Sequence, residues 1–98
     1  RVMQLRYAPN NRRVHSRATV IVGKKVVKSA VKRNRIRRRL YEIIRRHWDT
    51  IPAPTDLALT AFAPELGTMP AEELENNVIQ LLRQANLYQE PSQSDTIE

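Results

Sequence analysis

The chain has 98 residues, which is enough for one small domain with a single modest hydrophobic core. It contains no cysteine, which excludes disulfides and thiolate metal sites and fits a reducing cytoplasm, the compartment we expect. No apolar run approaches the roughly 18 residues that a membrane-spanning helix needs, and no basic start followed by an apolar run marks a signal peptide.

Charge is distributed unevenly along the chain. Residues 1–48 contain 16 Lys or Arg and one acid, Glu42, whereas residues 49–98 contain one Arg and nine acids. The two halves therefore carry +15 and −8, which give the formal net charge of +7. A domain with one strongly basic half is suited to bind a polyanion. Nucleic acid is the first candidate and an anionic membrane surface is the second.

Two strands are predicted before the first helix. The segment from Val2 to Ala8 alternates as a strand does, and Gln4 and Arg6 fall on the same face. A second strand is expected from about Val14 to Gly23. Its last part, residues 18–22, is largely β-branched and apolar, which favours a position in the centre of the sheet.

A long helix is predicted from about Ser29 to Trp48, with Ser29 as its N-cap. At about 100° per residue, one side carries an apolar stripe that we expect to pack on the sheet. This stripe consists of Ile36, Leu40, Ile43, Ile44 and Trp48. Five arginines fall on the opposite side: Arg35, Arg38, Arg39, Arg45 and Arg46. Along the boundary lie Asn34, Arg37 and Tyr41, with Arg33 close by, and we expect the arginines to be solvated.

The remaining elements predict the fold class. A third strand from Asp56 to Ala63 is apolar enough to be buried, and a second helix starts near Met69-Pro70. The apolar face of this helix consists of Leu74, Val78, Leu81, Leu82 and Ala85. We expect residues 1–88 to form one domain and residues 89–98 to be a disordered polar tail. The order ββαβα indicates an α+β fold with helices on one side of a small sheet.

The basic block between Lys24 and Arg46 carries the strongest functional signal. Arginine binds phosphate oxygens in a bidentate manner, lysine supplies a mobile point charge, and Asn34 suits a ribose hydroxyl or a base edge. The alternative is that these residues form a solvated basic helix face without a binding role. Like charges three or four residues apart on a helix repel, as in the pair Arg35 and Arg39, so a free helix would not favour them without an anionic partner.

The sequence offers little for catalysis. His15 and His47 are far apart and lack acidic or cysteine companions, so we expect no metal site. The basic half contains Glu42 as its one acid, which argues against a protein-only nuclease, a class that needs clustered carboxylates or histidines. Trp48 is predicted to be core and Tyr41 to pack at the helix–sheet boundary, with base stacking as the alternative for each.

The segment 31–42, VKRNRIRRRLYE, resembles the Arg-Asn-Arg helix of the bacterial ribonuclease P protein family. Upstream, Ser16-Arg17 and Val22-Gly23-Lys24-Lys25 resemble an arginine and a strand end of that family. Downstream, the strand that begins at Asp56 and the helix that ends in Ala85-Asn86-Leu87-Tyr88 match as well. The resemblance covers about residues 2–88.

The resemblance implies a small sheet with helices packed on it and a βαβ crossover around the basic helix (the ribosomal-protein-S5-domain-2-like type). It also implies a function: the family binds the ribonuclease P RNA and helps it bind precursor tRNA by holding the 5′ leader. The RNA, with Mg²⁺ ions that it holds itself, removes the leader. The protein is then an accessory subunit without catalytic residues or a bound cofactor, a monomer within a complex of one RNA and one protein.

From the resemblance and the basic block together, we expect the RNA-binding residues to be Arg17, Lys24, Lys25, Lys28, Lys32, Arg33, Asn34, Arg35, Arg37, Arg38 and Arg39. The candidate residues for the leader groove are Gln4, Arg6 and Tyr41. Four features depart from the family. This chain begins after the family's N-terminal helix, whose aromatic residues line the leader cleft. Thr19, Gly23 and Tyr41 replace residues that are often Gly, Ser and Arg.

A structural RNA-binding protein of the ribosomal type is the main alternative, and the spacing of the Arg-Asn-Arg motif is what disfavours it. A DNA-binding role is also conceivable, although no helix-turn-helix pairing is evident.

Overall fold

The computed structural model describes residues 2–9, 16–51 and 54–87. Their elements follow the predicted order ββαβα. The strands are β1 (Met3–Pro9), β2 (Arg17–Val22) and β3 (Thr55–Ala61), and the helices are α1 (Ala30–Arg46) and α2 (Ala71–Gln84). Two short 3₁₀ helices, Trp48–Thr50 and Pro64–Gly67, precede β3 and α2 respectively. The predicted polar tail, residues 89–98, lies outside the described residues.

The sheet has the strand order β1-β3-β2. β1 pairs with β3 in the antiparallel sense, and β2 pairs with β3 in the parallel sense, with α1 as the crossover between them. The expectation that the second strand is central is therefore wrong, because β3 takes that place. The apolar run of β2 has a different cause: Val20 and Val22 are buried in the core under the helices, whereas Ile21 on the other face is 46% exposed.

The two faces of the sheet differ in what covers them. Along β3, burial alternates strictly, and the buried members Leu57, Leu59 and Ala61 join the same core cluster as the apolar faces of both helices. The predicted α+β arrangement with helices on one side is thus confirmed. The strand register places nine side chains on the uncovered face, which we call the open sheet face: Gln4, Arg6, Ala8, Arg17, Thr19, Ile21, Asp56, Ala58 and Thr60.

Helix α1 follows its predicted pattern closely. Ser29 caps it, since the Ser29 side chain accepts a hydrogen bond from the backbone N–H of Lys32 at 3.3 Å. The buried residues of the helix are Ile36, Leu40, Ile43 and Ile44, as the apolar stripe predicts. The helix ends at Arg46 rather than at Trp48, and the partly buried Trp48 starts a 3₁₀ helix instead.

Helix α2 holds the other side of the core. Glu72 and Glu73 lie in its first turn, and Leu74, Val78 and Leu82 are its buried residues. Its C-terminus closes at Asn86, which has a φ of 60°. Asparagine tolerates this left-handed conformation better than most residues with a side chain.

Candidate nucleic-acid interface

The loop between β2 and α1 presents lysines in a fixed turn. The carbonyl oxygen of Gly23 accepts hydrogen bonds from the backbone N–H groups of Val26 and Val27 at 3.2 and 3.1 Å. Lys24 and Lys25 are therefore held exposed at the turn. The glycine is not required for space, because a Cβ at this position would meet nothing within 4 Å. Its departure from the serine common in the family is compatible with this turn.

Arg33 connects this loop to the helix. Its Nη1 atom donates to the carbonyl oxygens of Val27 and Lys28, each at 2.9 Å. The expectation that Arg33 is solvated is therefore wrong. The loop ends with carbonyls that no strand or helix satisfies, and a half-buried guanidinium one turn into α1 reaches back to them. Arg33 thus has a structural role whatever else it binds.

Three arginines turn toward the segment before α2 and toward α2 itself. We call them the clamp flank: Arg35, Arg39 and Arg46. Arg35 donates through Nε to the carbonyl oxygen of Gly67 at 2.7 Å. Arg39 donates to the carbonyl oxygen of Leu66 at 2.7 Å and also to that of Met69.

The clamp flank continues at the C-terminal end of α1. There Arg46 forms an ion pair with Glu75 at 3.3 Å, and the His47 ring nitrogen Nε2 lies 2.6 Å from the same carboxylate. The sequence placed all three arginines on the solvated side of α1. That placement is wrong for Arg39, which is half-buried, and Arg35 and Arg46 remain exposed but have protein partners.

A second set of side chains faces away from this clamp. We call it the open flank: Asn34, Arg37, Arg38 and Tyr41. Arg37 donates to the Oδ1 atom of Asn34, so the two side chains hold one another three residues apart. Arg38 is exposed. The predicted boundary position of Asn34, Arg37 and Tyr41 is confirmed in that these three share one side of the helix.

Tyr41 occupies one backbone hydrogen-bonding group at the free edge of β2. Its hydroxyl oxygen accepts a hydrogen bond from the backbone N–H of Val20 at 3.1 Å, and its side chain is 37% exposed. The tyrosine therefore packs at the helix–sheet boundary, as expected. It does not share a groove with the other two candidate leader residues, because Gln4 and Arg6 lie on β1, at the opposite edge of the sheet.

Arg6 has a different neighbour among the predicted site residues. Arg6 pairs in register with Ala58, and Arg17 of β2 pairs with Asp56. The two arginines line the same shallow depression of the sheet, together with Thr19. The structure thus separates the predicted residues into a basic helix and loop on one side and an arginine-lined sheet surface on the other.

Within the described residues, no group of three or more His, Cys, Asp or Glu side chains could hold a metal ion. His15 lies outside the described residues, and His47 has a carboxylate partner in α2. No helix in the described part of the chain is long and apolar enough to cross a membrane.

Sequence reasoning missed the acceptors of the clamp flank. The carbonyl oxygens of Leu66, Gly67 and Met69 leave no trace in the side-chain pattern. The spacing of Arg35, Arg39 and Arg46 along one side of α1 was a usable signal, because a one-sided row of cations predicts a common neighbour.

Comparison with known proteins gives a consistent result. The family model described as Ribonuclease P matches residues 1–86. The ribonuclease P protein component of Roseiflexus castenholzii is 38% identical over 88 residues, which cover 90% of this chain and 70% of that protein. In four such relatives the matched share of their own length is 64 to 70%, so this chain spans about two thirds of them.

Solved structures agree with the sequence relatives. The Staphylococcus aureus RNase P protein superposes with a TM-score of 0.77 at 25% identity, covering 91% of this chain and 79% of that one. A second S. aureus structure, of a mutant described as having defective mRNA degradation activity, also gives 0.77 at 25% identity, with 90% and 72% covered. With the basic helix and the ββαβα fold, these matches establish that the chain belongs to the ribonuclease P protein family.

Proposed function

We propose that this chain acts as the protein subunit of ribonuclease P, which binds the catalytic RNA and assists the removal of the 5′ leader from precursor tRNA. Membership of the family supports the general role in tRNA processing. The specific assignment of surfaces rests on one observation: α1 divides its cations into a clamp flank with protein partners and an open flank whose arginines form no ion pair with a carboxylate of the described residues. A polyanion is the partner that the open flank suits.

The open flank and the lysine loop would bind the ribonuclease P RNA. Arg37 and Arg38 supply guanidinium forks for phosphate oxygens, and Asn34 supplies an amide for a ribose hydroxyl or base edge. Lys24, Lys25, Lys28 and Lys32 are exposed and add mobile charges around the start of the helix. The clamp flank fixes the opposite side of the helix. The groups that bind RNA are therefore already ordered, and binding does not have to order the backbone.

The open sheet face would hold the leader of precursor tRNA. Arg6 and Arg17 are exposed there and supply two cations on a flat surface, and Gln4 adds an amide along the same row. A single strand of RNA can follow such a surface with its phosphates, and sequence tolerance is expected because phosphate contacts carry no base information. Tyr41 does not belong to this leader surface.

Bond cleavage would be performed by the RNA and its Mg²⁺ ions. The described residues offer no cluster that fits a metal ion, so we assign no Mg²⁺ ligand to the protein. The subunit then contributes binding energy and position alone. One S. aureus structure is described as a mutant with defective mRNA degradation activity. The control with protein alone should therefore include an mRNA fragment as well as precursor tRNA.

A reconstitution experiment tests this proposal. The ribonuclease P RNA is combined with the parent protein, with an Arg37→Ala and Arg38→Ala double variant, or with Arg46→Ala as a control that removes a cation from the clamp flank of the same helix. We expect the double variant to bind the RNA weakly and to assist cleavage poorly, and Arg46→Ala to resemble the parent. A structural RNA-binding protein of the ribosomal type would not increase the rate of cleavage at all.

A further inference from the structure

A groove runs between β2 and the C-terminal half of α1. Its volume is about 510 Å³. The residues that line it are Ser16, Arg17, Ala18, Tyr41, Ile44, Arg45, Trp48 and Asp49. Arg17 and Tyr41 already belong to surfaces that we have assigned to RNA, whereas Ile44, Arg45 and Trp48 do not. The volume lies within the range of about 300–1,000 Å³ that ligand sites commonly have.

The groove combines an aromatic wall with cations. Tyr41 lies on α1 and Trp48 begins the 3₁₀ helix that follows it; both line the groove and both are partly accessible. Arg45 follows Tyr41 by one turn and is exposed. Within the described residues, neither the Arg45 nor the Arg17 guanidinium makes a hydrogen bond or an ion pair. Asp49 is the one acid in the lining, so the two arginines outnumber it.

We propose that this groove binds an unpaired nucleotide of the ribonuclease P RNA, with the base against Tyr41 and Trp48 and the phosphate at Arg45. Aromatic side chains stack on any base, and a neighbouring arginine adds a phosphate contact, which together form the usual site for unpaired RNA. The inference rests on the proposed function and extends it from the N-terminal half of α1 to its C-terminal half.

Position decides which RNA occupies the groove. Tyr41 is also a member of the open flank, one turn from Arg37 and Arg38, so the groove continues the surface proposed for the ribonuclease P RNA. Gln4 and Arg6, proposed to bind the leader, lie on the strand at the other edge of the sheet. One RNA segment can therefore pass from the open flank into the groove. A leader that follows Gln4 and Arg6 would reach the groove only past Arg17 on β2, the residue that lines both the groove and the sheet depression.

A protein strand is a poorer occupant of the same groove. β2 pairs with β3 alone among the described strands, so its outer edge could in principle accept another strand. The N–H of Val20, in the middle of that edge, already donates to the Tyr41 hydroxyl. Strand addition would break this hydrogen bond and displace the tyrosine, whereas stacking on the exposed part of its ring leaves the bond in place.

Trp48 is the single tryptophan of the chain, so its fluorescence reports on this groove directly. The test titrates the parent protein with the ribonuclease P RNA and, separately, with a single-stranded leader oligonucleotide. Affinity for the same RNA is then measured for Tyr41→Ala, Tyr41→Phe, Arg45→Ala and Arg46→Ala. Tyr41→Phe keeps the ring, and Arg46→Ala removes the adjacent arginine, which faces the clamp flank. Circular dichroism establishes that each variant is folded.

We expect the ribonuclease P RNA to quench Trp48 fluorescence at a one-to-one ratio and the leader oligonucleotide to leave it unchanged. Tyr41→Ala should weaken binding of the RNA about 5- to 150-fold, the range for loss of one stacked base. Arg45→Ala should also weaken it, and Tyr41→Phe, which keeps the ring, should weaken it much less than Tyr41→Ala. Arg46→Ala should bind like the parent. The inference is overturned if Trp48 does not respond, or responds to the leader alone, while Tyr41→Ala and Arg45→Ala bind normally.

The experiment distinguishes a failure of this inference from a failure of the proposed function. If the parent binds the RNA and the Arg37→Ala and Arg38→Ala double variant does not, the proposed function stands even when the groove variants bind normally. If the parent itself fails to bind the ribonuclease P RNA, both are overturned.

Discussion

Arg39 in α1 donates a hydrogen bond to the carbonyl oxygen of Leu66, 27 residues further along the chain, at 2.7 Å. Together with the contact from Arg35 to Gly67, this bond attaches the basic helix to the segment that precedes α2. An arginine that the sequence assigned to RNA binding is therefore part of the protein's own scaffold. Some arginines stabilise the fold and others remain available for RNA. Mutations of the first kind should lower stability, and mutations of the second kind should lower RNA affinity.

Arg39→Ala should lower stability more than RNA affinity. The substitution removes hydrogen bonds to two carbonyl groups, and a hydrogen bond from a charged group contributes about 1.5–3 kcal/mol, reduced here by partial exposure. Urea denaturation measures the loss in free energy of unfolding. Arg39→Lys, which keeps the charge but not the planar fork, should recover affinity without recovering full stability. Unchanged stability together with lost affinity would assign Arg39 to the RNA.

Arg33→Ala and Arg37→Ala should have different effects on stability and on RNA affinity. Arg33 holds the carbonyl oxygens of Val27 and Lys28, so its loss should loosen the lysine loop and lower both stability and RNA affinity. Among the described residues Arg37 makes one hydrogen bond, to Asn34, so its loss should weaken RNA binding by roughly 1.5–3 kcal/mol with little change in stability. Thermal unfolding and RNA affinity, measured on the same two proteins, check this. Equal loss of stability in both variants would contradict it.

Binding to the ribonuclease P RNA should depend steeply on salt. If roughly five to eight of the cations contact phosphates, log K should fall with log salt at a slope of about −0.7 to −0.9 per contact. Arg38→Ala should reduce the magnitude of the slope by about one contact, and Arg46→Ala should leave it unchanged. A salt titration by fluorescence anisotropy gives the slopes. A flat response would mean that phosphate contacts are not the source of affinity.

Leu40→Ala should disrupt the proposed RNA-binding surface only by destabilising the whole domain. Leu40 has no exposed surface and lies in the core beneath α1. Replacing a buried leucine with alanine costs about 2–5 kcal/mol, a large part of the stability of a domain of this size. RNA affinity should fall only where circular dichroism also shows unfolding, and lowering the temperature should restore both. Lost affinity in a fully folded variant would place Leu40 closer to the RNA than the core allows.

The local elements of this fold could be predicted from sequence because their signals are local. The apolar spacing of Ile36, Leu40, Ile43 and Ile44 predicted the buried side of α1, and Ser29 predicted its start. Strand order could not be predicted in the same way. The apolar end of β2 is typical of a central strand. An edge strand can have the same composition when one of its faces is buried under a helix, as that of β2 is under α1.

The division of the basic residues was predictable only in part. Helical spacing placed Asn34, Arg37 and Tyr41 on one side, which the structure confirms. It could not reveal that Arg35 and Arg39 have backbone carbonyl partners about 30 residues away, because such acceptors depend on how the chain returns to the helix. The assignment of Tyr41 to the same groove as Gln4 and Arg6 failed for the same reason, since it depended on strand order.

Cleavage of precursor tRNA at low protein concentration tests the central claim most directly. Precursor tRNA and Mg²⁺ are incubated with ribonuclease P RNA alone, with protein alone, and with the RNA plus the parent, the Arg37→Ala and Arg38→Ala double variant, or Arg46→Ala. We expect no cleavage by protein alone, and faster removal of the leader when the parent or Arg46→Ala accompanies the RNA, with little gain from the double variant. Specific cleavage by protein alone, or full assistance from the double variant, would contradict the account.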